Sequence, residues 1–142
     1  MKARFCAVLA TVLASTLAGC ALPTYRAPLG VALTDVKLSP NMRSDPMTLC
    51  TQGACFTGRP VNGHLKVPVG QRVTLYRNFV ASGYQVTYSC FPGMSFVPAA
   101  GLKYYADFEI RDDRCGFFVF RIKPDSRIGI ALDETARAIK AN

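Results

Sequence analysis

At 142 residues the chain has room for one small domain and too little for two. Half of its residues are hydrophobic and no long low-complexity tract occurs, which excludes a disordered chain and allows a buried core. The formal net charge is +8, but Arg59, Lys66, Arg72, Arg77, Arg111, Arg114, Arg121 and Arg127 stand singly with no run of three, which reads as a solvated basic surface, with a dedicated anionic-ligand patch as the alternative.

The chain opens with Lys2 and Arg4, continues through an apolar stretch from Phe5 to Thr16 and ends this segment in Leu17-Ala18-Gly19-Cys20. A positive start, an apolar run and small exit residues are the parts of a secretory signal. The run is too short to span a bilayer, which needs about 20 apolar residues. Leu17-Ala18-Gly19-Cys20 resembles the bacterial lipobox, in which the leader is cut between the residues at Gly19 and Cys20. The resemblance implies that 1–19 is a cleaved signal peptide and that Cys20 carries diacylglycerol on its sulfur and a further acyl chain, such as palmitate, on its amine. With about 0.8 kcal/mol per buried methylene, two or three chains hold a protein firmly on a membrane. In enteric bacteria an aspartate after this cysteine retains such proteins in the inner membrane. Ala21 stands there instead, so the resemblance favours the periplasmic face of the outer membrane. Residues 20–30 carry two prolines and a glycine without periodicity and read as an extended tether, at roughly 3 Å per residue.

Residues 31–142 read as the folded domain. Val31 to Leu38 makes a first strand. Four cysteines remain after Cys6 leaves with the leader and Cys20 is lipidated: Cys50, Cys55, Cys90 and Cys115. An even set in an exported domain implies two disulfides, with three pairings possible. Cys50–Cys55 with Cys90–Cys115 is preferred, because the first closes a turn-length loop around Gly53 and the second a loop long enough to stabilise by about 3 kcal/mol. No Cys-x-x-Cys pair occurs for thiol redox work, and a zinc site would need closer cysteine pairs and more histidines than His64. Neither a metal nor another cofactor is expected.

Further along, His64 to Gln71 and Arg72 to Val80 are strand candidates, the first bent or at an edge because of Pro68. Tyr84 to Cys90 alternates, which predicts a half-buried strand with Tyr84, Val86, Tyr88 and Cys90 inward. Tyr104 to Ile110 repeats the pattern with Tyr104, Ala106, Phe108 and Ile110 inward, and Cys115 to Ile122 is apolar on both faces, as a central strand would be. If Arg111-Asp112-Asp113-Arg114 is a hairpin turn, a Cys90–Cys115 bond would set strands 84–90 and 115–122 side by side, with 91–103 as the returning connection. Helix is allowed only near Asp133 to Lys140. The expected fold is all-β: a small antiparallel β-sandwich of six to seven strands with two disulfides. Val67 to Leu75, Tyr88-Ser89-Cys90, Phe96-Val97-Pro98, Tyr104 to Phe108 and Cys115 together resemble small β-sandwich lipoproteins of proteobacteria, which implies a fold and no activity.

Catalytic chemistry is poorly served. His64 is the sole imidazole, it follows the turn pair Asn62-Gly63, and no Gly-x-Ser-x-Gly elbow accompanies it. Asp112-Asp113 and Asp133-Glu134 are placed as turn and capping residues rather than as a glycosidase pair. No Gly-rich phosphate loop and no nucleic-acid recognition module is present. The fifteen aromatics are expected in the core, with Phe91, Phe96, Tyr105 and Phe118 as the candidates for an exposed patch. The expected function is therefore a non-catalytic envelope lipoprotein, bound to a membrane by lipid and to an envelope protein by its sandwich. Tyr88-Ser89-Cys90-Phe91-Pro92-Gly93 also resembles the Tyr-x-Cys-x-x-Gly element of lysozyme-inhibitor lipoproteins, which implies a soluble basic ligand, although a basic domain would repel lysozyme. A hydrolase built on His64 is the third reading.

Overall fold

The computed structural model describes residues 21–139, so the leader and the Leu17-Ala18-Gly19-Cys20 motif lie outside the described residues. The strands are β1 Leu33–Leu38, β2 Met47–Thr51, β3 Ala54–Gly58, β4 His64–Pro68, β5 Val73–Tyr76, β6 Phe79–Gly83, β7 Val86–Cys90, β8 Gly93–Phe96, β9 Tyr104–Arg111, β10 Arg114–Ile122, β11 Ile130–Leu132 and β12 Arg137–Ile139. A short 3-10 turn, Pro40–Met42, follows β1. Two five-stranded sheets form the sandwich, one in the order β11-β10-β9-β1-β4 and one in the order β12-β8-β5-β2-β3, while β6 and β7 make a separate two-stranded ribbon. No helix of the described residues is long and apolar enough to cross a membrane.

The core follows from period-2 patterning. In β9, Tyr104, Ala106 and Phe108 are buried while Glu109 is exposed, and in β10 Phe117 and Val119 are buried. Val36, Leu38, Leu65 and Val67 complete the first sheet's inner face, against Leu49, Val73, Leu75, Met94 and Phe96 of the second. The rings of Phe96 and Tyr104, 5.1 Å apart, join the two layers. Burying such side chains contributes about 1.5–3 kcal/mol each before entropy is counted. Turn chemistry sets the hairpin registers. Gln52-Gly53, Asn62-Gly63 and Asp112-Asp113 all take positive φ at both central positions, the conformation that matches strand twist in two-residue turns. Cys50 thereby lies directly opposite Cys55, and the two are bonded. Cys90 is bonded to Cys115.

The all-β class and both disulfide pairings are as expected, but several details differ. Twelve strands occur among the described residues rather than six or seven. The surplus comes from pieces too short to show a period: β2 and β3 around the small disulfide, β11, β12, and β8 within the stretch read as a return loop. Arg72 to Val80 is two elements, because the chain leaves the sheet at Arg77-Asn78 and starts the ribbon. One pairing, β1 with β9, is parallel, and every other ladder among the named strands is antiparallel. The helix allowed near Asp133 does not form there: the Asp133 carboxylate accepts bonds from the Thr135 backbone N–H and hydroxyl, turning the chain into β12, which extends the second sheet on β8. Strand 84–90 does not lie beside 115–122. β7 pairs with β6, and the Cys90–Cys115 bond crosses from the ribbon to the first sheet. The stretch read as a free tether is partly docked, since Thr24 bridges Thr57 in parallel and the Tyr25 ring meets Phe56 at 5.9 Å.

Candidate interaction surface

Beyond Tyr76 the chain leaves the second sheet, forms the β6–β7 ribbon and rejoins the sheet at Gly93. Its base is held firmly. The Arg77 N–H donates to the Pro92 carbonyl at 3.1 Å, Cys90 is bonded to Cys115, and the Phe79 ring packs on Phe108 at 5.6 Å. The Arg77 guanidinium lies over the Phe108 ring at 4.7 Å and donates to the Asn41 carbonyl and to Asp45, at 2.8 and 2.6 Å. Past this base the ribbon stands in solvent: Tyr84 is 91% exposed, Val80 59%, Tyr88 53% and Val86 48%. From 78 to 102 the sequence carries no Lys, Arg, Asp, Glu or His.

The two faces of the ribbon differ. Register places Phe79, Ala81 and Gly83 opposite Cys90, Tyr88 and Val86, an apolar face, whereas Val80 and Ser82 oppose Ser89 and Thr87 on the other. With Ile110 and Cys115 of the first sheet, the apolar side walls a groove of about 300 Å³, with Asp113 at its rim. Ile110, expected in the core, is 47% exposed, because β9 and β10 run past the sandwich and end in the Asp112-Asp113 tip. A wider, more polar depression of about 630 Å³ lies on that tip, between Arg111, Arg114 and Phe118.

Strand directions give the molecule two poles. β5 ends at the ribbon and pairs antiparallel with β2, which pairs antiparallel with β3, so the Gln52-Gly53 turn is at the end away from the ribbon. The segment at Thr24 runs parallel to β3, with the Thr57 N–H donating to the Pro23 carbonyl and the Tyr25 N–H to the Thr57 carbonyl. Leu22 and Ala21 therefore lie towards the Cys50–Cys55 pole, and the ribbon towards the opposite one.

The other sequence candidates are scattered. Gly19 and Cys20 are outside the described residues. His64 sits at the start of β4, where Nδ1 meets the Asp35 carboxylate of β1 at 2.6 Å and Lys66 approaches the same carboxylate at 3.7 Å. This cluster is on an exposed sheet face, and no hydroxyl bonds the His64 ring among the described residues, so it has the form of a surface ion pair. Asp133 serves the turn to β12, and Glu134 bonds Arg121, whose guanidinium that contact pushes upward in pKa. Burial raises the phenols of Tyr25, Tyr104 and Tyr105 above the ordinary tyrosine range. Phe96, a candidate for an exposed patch, is fully buried, while Phe91 is 41% exposed and stacks on Tyr76. Tyr84, Val86 and Tyr88, assigned inward by alternation, are the exposed ones. The signal that singles them out is the charge-free run in an otherwise basic chain. No family model, no curated protein and no solved structure matches the chain.

Proposed function

We propose that the protein is a non-catalytic envelope lipoprotein, anchored through acylated Cys20 to the periplasmic face of the outer membrane, whose β-sandwich presents the β6–β7 ribbon to a protein partner. The observation that carries this reading is the exposed, uncharged ribbon at the pole opposite the one towards which Leu22 and Ala21 run. Large apolar side chains concentrated on one projecting element mark interaction sites more often than scattered single ones do. The lipobox resemblance supplies the anchor, because Cys20 directly precedes Ala21 in the sequence. Lysozyme inhibition is the second reading. It has the Tyr88-to-Gly93 element in its favour and the basic charge against it.

The test combines two measurements on the full chain in its native envelope. Cys20→Ser should move the protein from the membrane to the soluble fraction, and a photo-crosslinking residue at position 84 should give a discrete crosslinked product that a residue at position 52 does not. A Cys20→Ser product that still sediments with membranes, or identical crosslinking at both positions, defeats the proposal. Inhibition of lysozyme by the purified protein would install the second reading in its place.

A further inference from the structure

Exposed edge strands in folded proteins are usually guarded by lysine, proline, a bulge or an inward charge, since their free N–H and C=O groups otherwise template pairing with another strand. The ribbon carries none of these guards between Phe79 and Cys90. It is a sheet of two strands only, so each strand has one edge without a strand neighbour among the described residues. Of the two, β7 is the more open: Val86, Thr87, Tyr88 and Ser89 are all exposed, whereas Phe79 and Ala81 of β6 are half-buried. Building on the partner-binding reading above, we infer that the free edge of β7 accepts an extended, uncharged segment of a partner protein as a third strand, with alternate side chains of that segment reaching into the groove beside Tyr88, Ile110 and Cys115.

Charge decides the chemistry of the occupant. The chain as a whole is at +8, yet 78–102 offers no cation to a phosphate, a nucleic acid or an anionic lipid, and among the residues that line the groove the single charge is Asp113 at its rim. An uncharged strand is the complement that loses no ionic hydration on docking. The apolar groove fits every second side chain of such a strand, as the two-residue period of β-structure requires. Fixing the ribbon base through Cys90–Cys115 and Phe79 on Phe108 keeps this edge in one place, which lowers the ordering cost of docking.

The experiment uses the full chain in detergent micelles and a panel of fluorescent, uncharged probes of about eight residues, alternating Val, Leu, Phe or Tyr with Thr or Ser. At least one probe should bind saturably. N-methylating alternate backbone amides of that probe, or making Tyr88→Lys in the protein, should weaken binding by about tenfold or more, and bound probe should slow amide exchange along β7. Equal binding of the N-methylated probe overturns strand addition, as does failure of the whole panel. Self-association that Thr87→Lys disperses would give the edge to a second copy, and flotation of the Cys20→Ser chain with phosphatidylcholine vesicles, lost in Tyr84→Ser, would give it to a lipid surface. Either result overturns the proposal. Crosslinking from position 84 separates the two levels: a product there with an indifferent N-methylated probe removes strand addition alone, and no product removes the partner-binding reading itself.

Discussion

A β-carbon at Gly93 would sit 2.3 Å from the Tyr76 ring, which crosses over this glycine from the paired position on β5 and stacks on Phe91. Gly93→Ala should therefore push the ring off and lower stability by about 1–3 kcal/mol, read as an earlier denaturation midpoint with unchanged slope. Tyr104 gives a pH-dependent prediction. It is fully buried, and its hydroxyl accepts the Ala99 N–H at 2.9 Å. Burial raises its pKa more than that bond lowers it, so the folded state holds the phenolic proton more tightly than the unfolded state, whose value is near 10. This contribution is complete below about pH 10 and is lost as pH rises through the folded value. Tyr104→Phe should cost about 1 kcal/mol at neutral pH by orphaning the Ala99 N–H, and should flatten the alkaline decline seen in denaturation curves. At this scale the preferred pairing of Cys50, Cys55, Cys90 and Cys115 is the one that forms, since one turn-length spacing favours it among the three possible. Gly93 was not legible, because a glycine beneath a cross-strand ring looks in sequence like any turn glycine.

The ribbon and the β9–β10 tip depend on Cys90–Cys115, which closes a separation of 25 residues, whereas Cys50–Cys55 closes 5. In the chain-entropy model these contribute about 3.5 and about 2 kcal/mol. Replacing Cys90 and Cys115 together by alanine should thus cost more than replacing Cys50 and Cys55, and amide exchange should speed up in β6 and β7 well before it does in β5 or β8. Several elements could be read directly. β9 and β10 follow the alternation Tyr104 to Phe108 and the Asp112-Asp113 turn. β7 misled, because a period of two says that one face is apolar and not which body that face meets. Here it meets Ile110 and Cys115 at the rim of the sandwich. The short strands β11 and β12 were invisible for a different reason: three residues carry no period, and they are strands only because β10 and β8 offer them a ladder.

At the scale of the whole molecule the two poles make a distance prediction. β10 has nine residues, which at roughly 3.3 Å each separate the ends of the first sheet by about 30 Å. On the proposed anchoring through Cys20, a fluorophore at position 52 of the protein in proteoliposomes should be quenched by brominated lipid and one at position 84 should not. Similar quenching of both would contradict the orientation. Alternation in short segments separated by turn residues made the all-β class readable. The site was legible only as a lack of charge from 78 to 102, since alternation alone had turned its aromatics inward.

The parallel pairing of β1 with β9 has a consequence for how the chain assembles. Val36 needs Tyr104 beside it, and Leu38 needs Ala106, so the first strand made waits for more than half of the remaining sequence before its inner edge closes. Contacts that join distant parts of a chain form late and slow folding. A polypeptide built this way stays open while its early segments emerge, and only the arrival of β9 locks the first sheet shut.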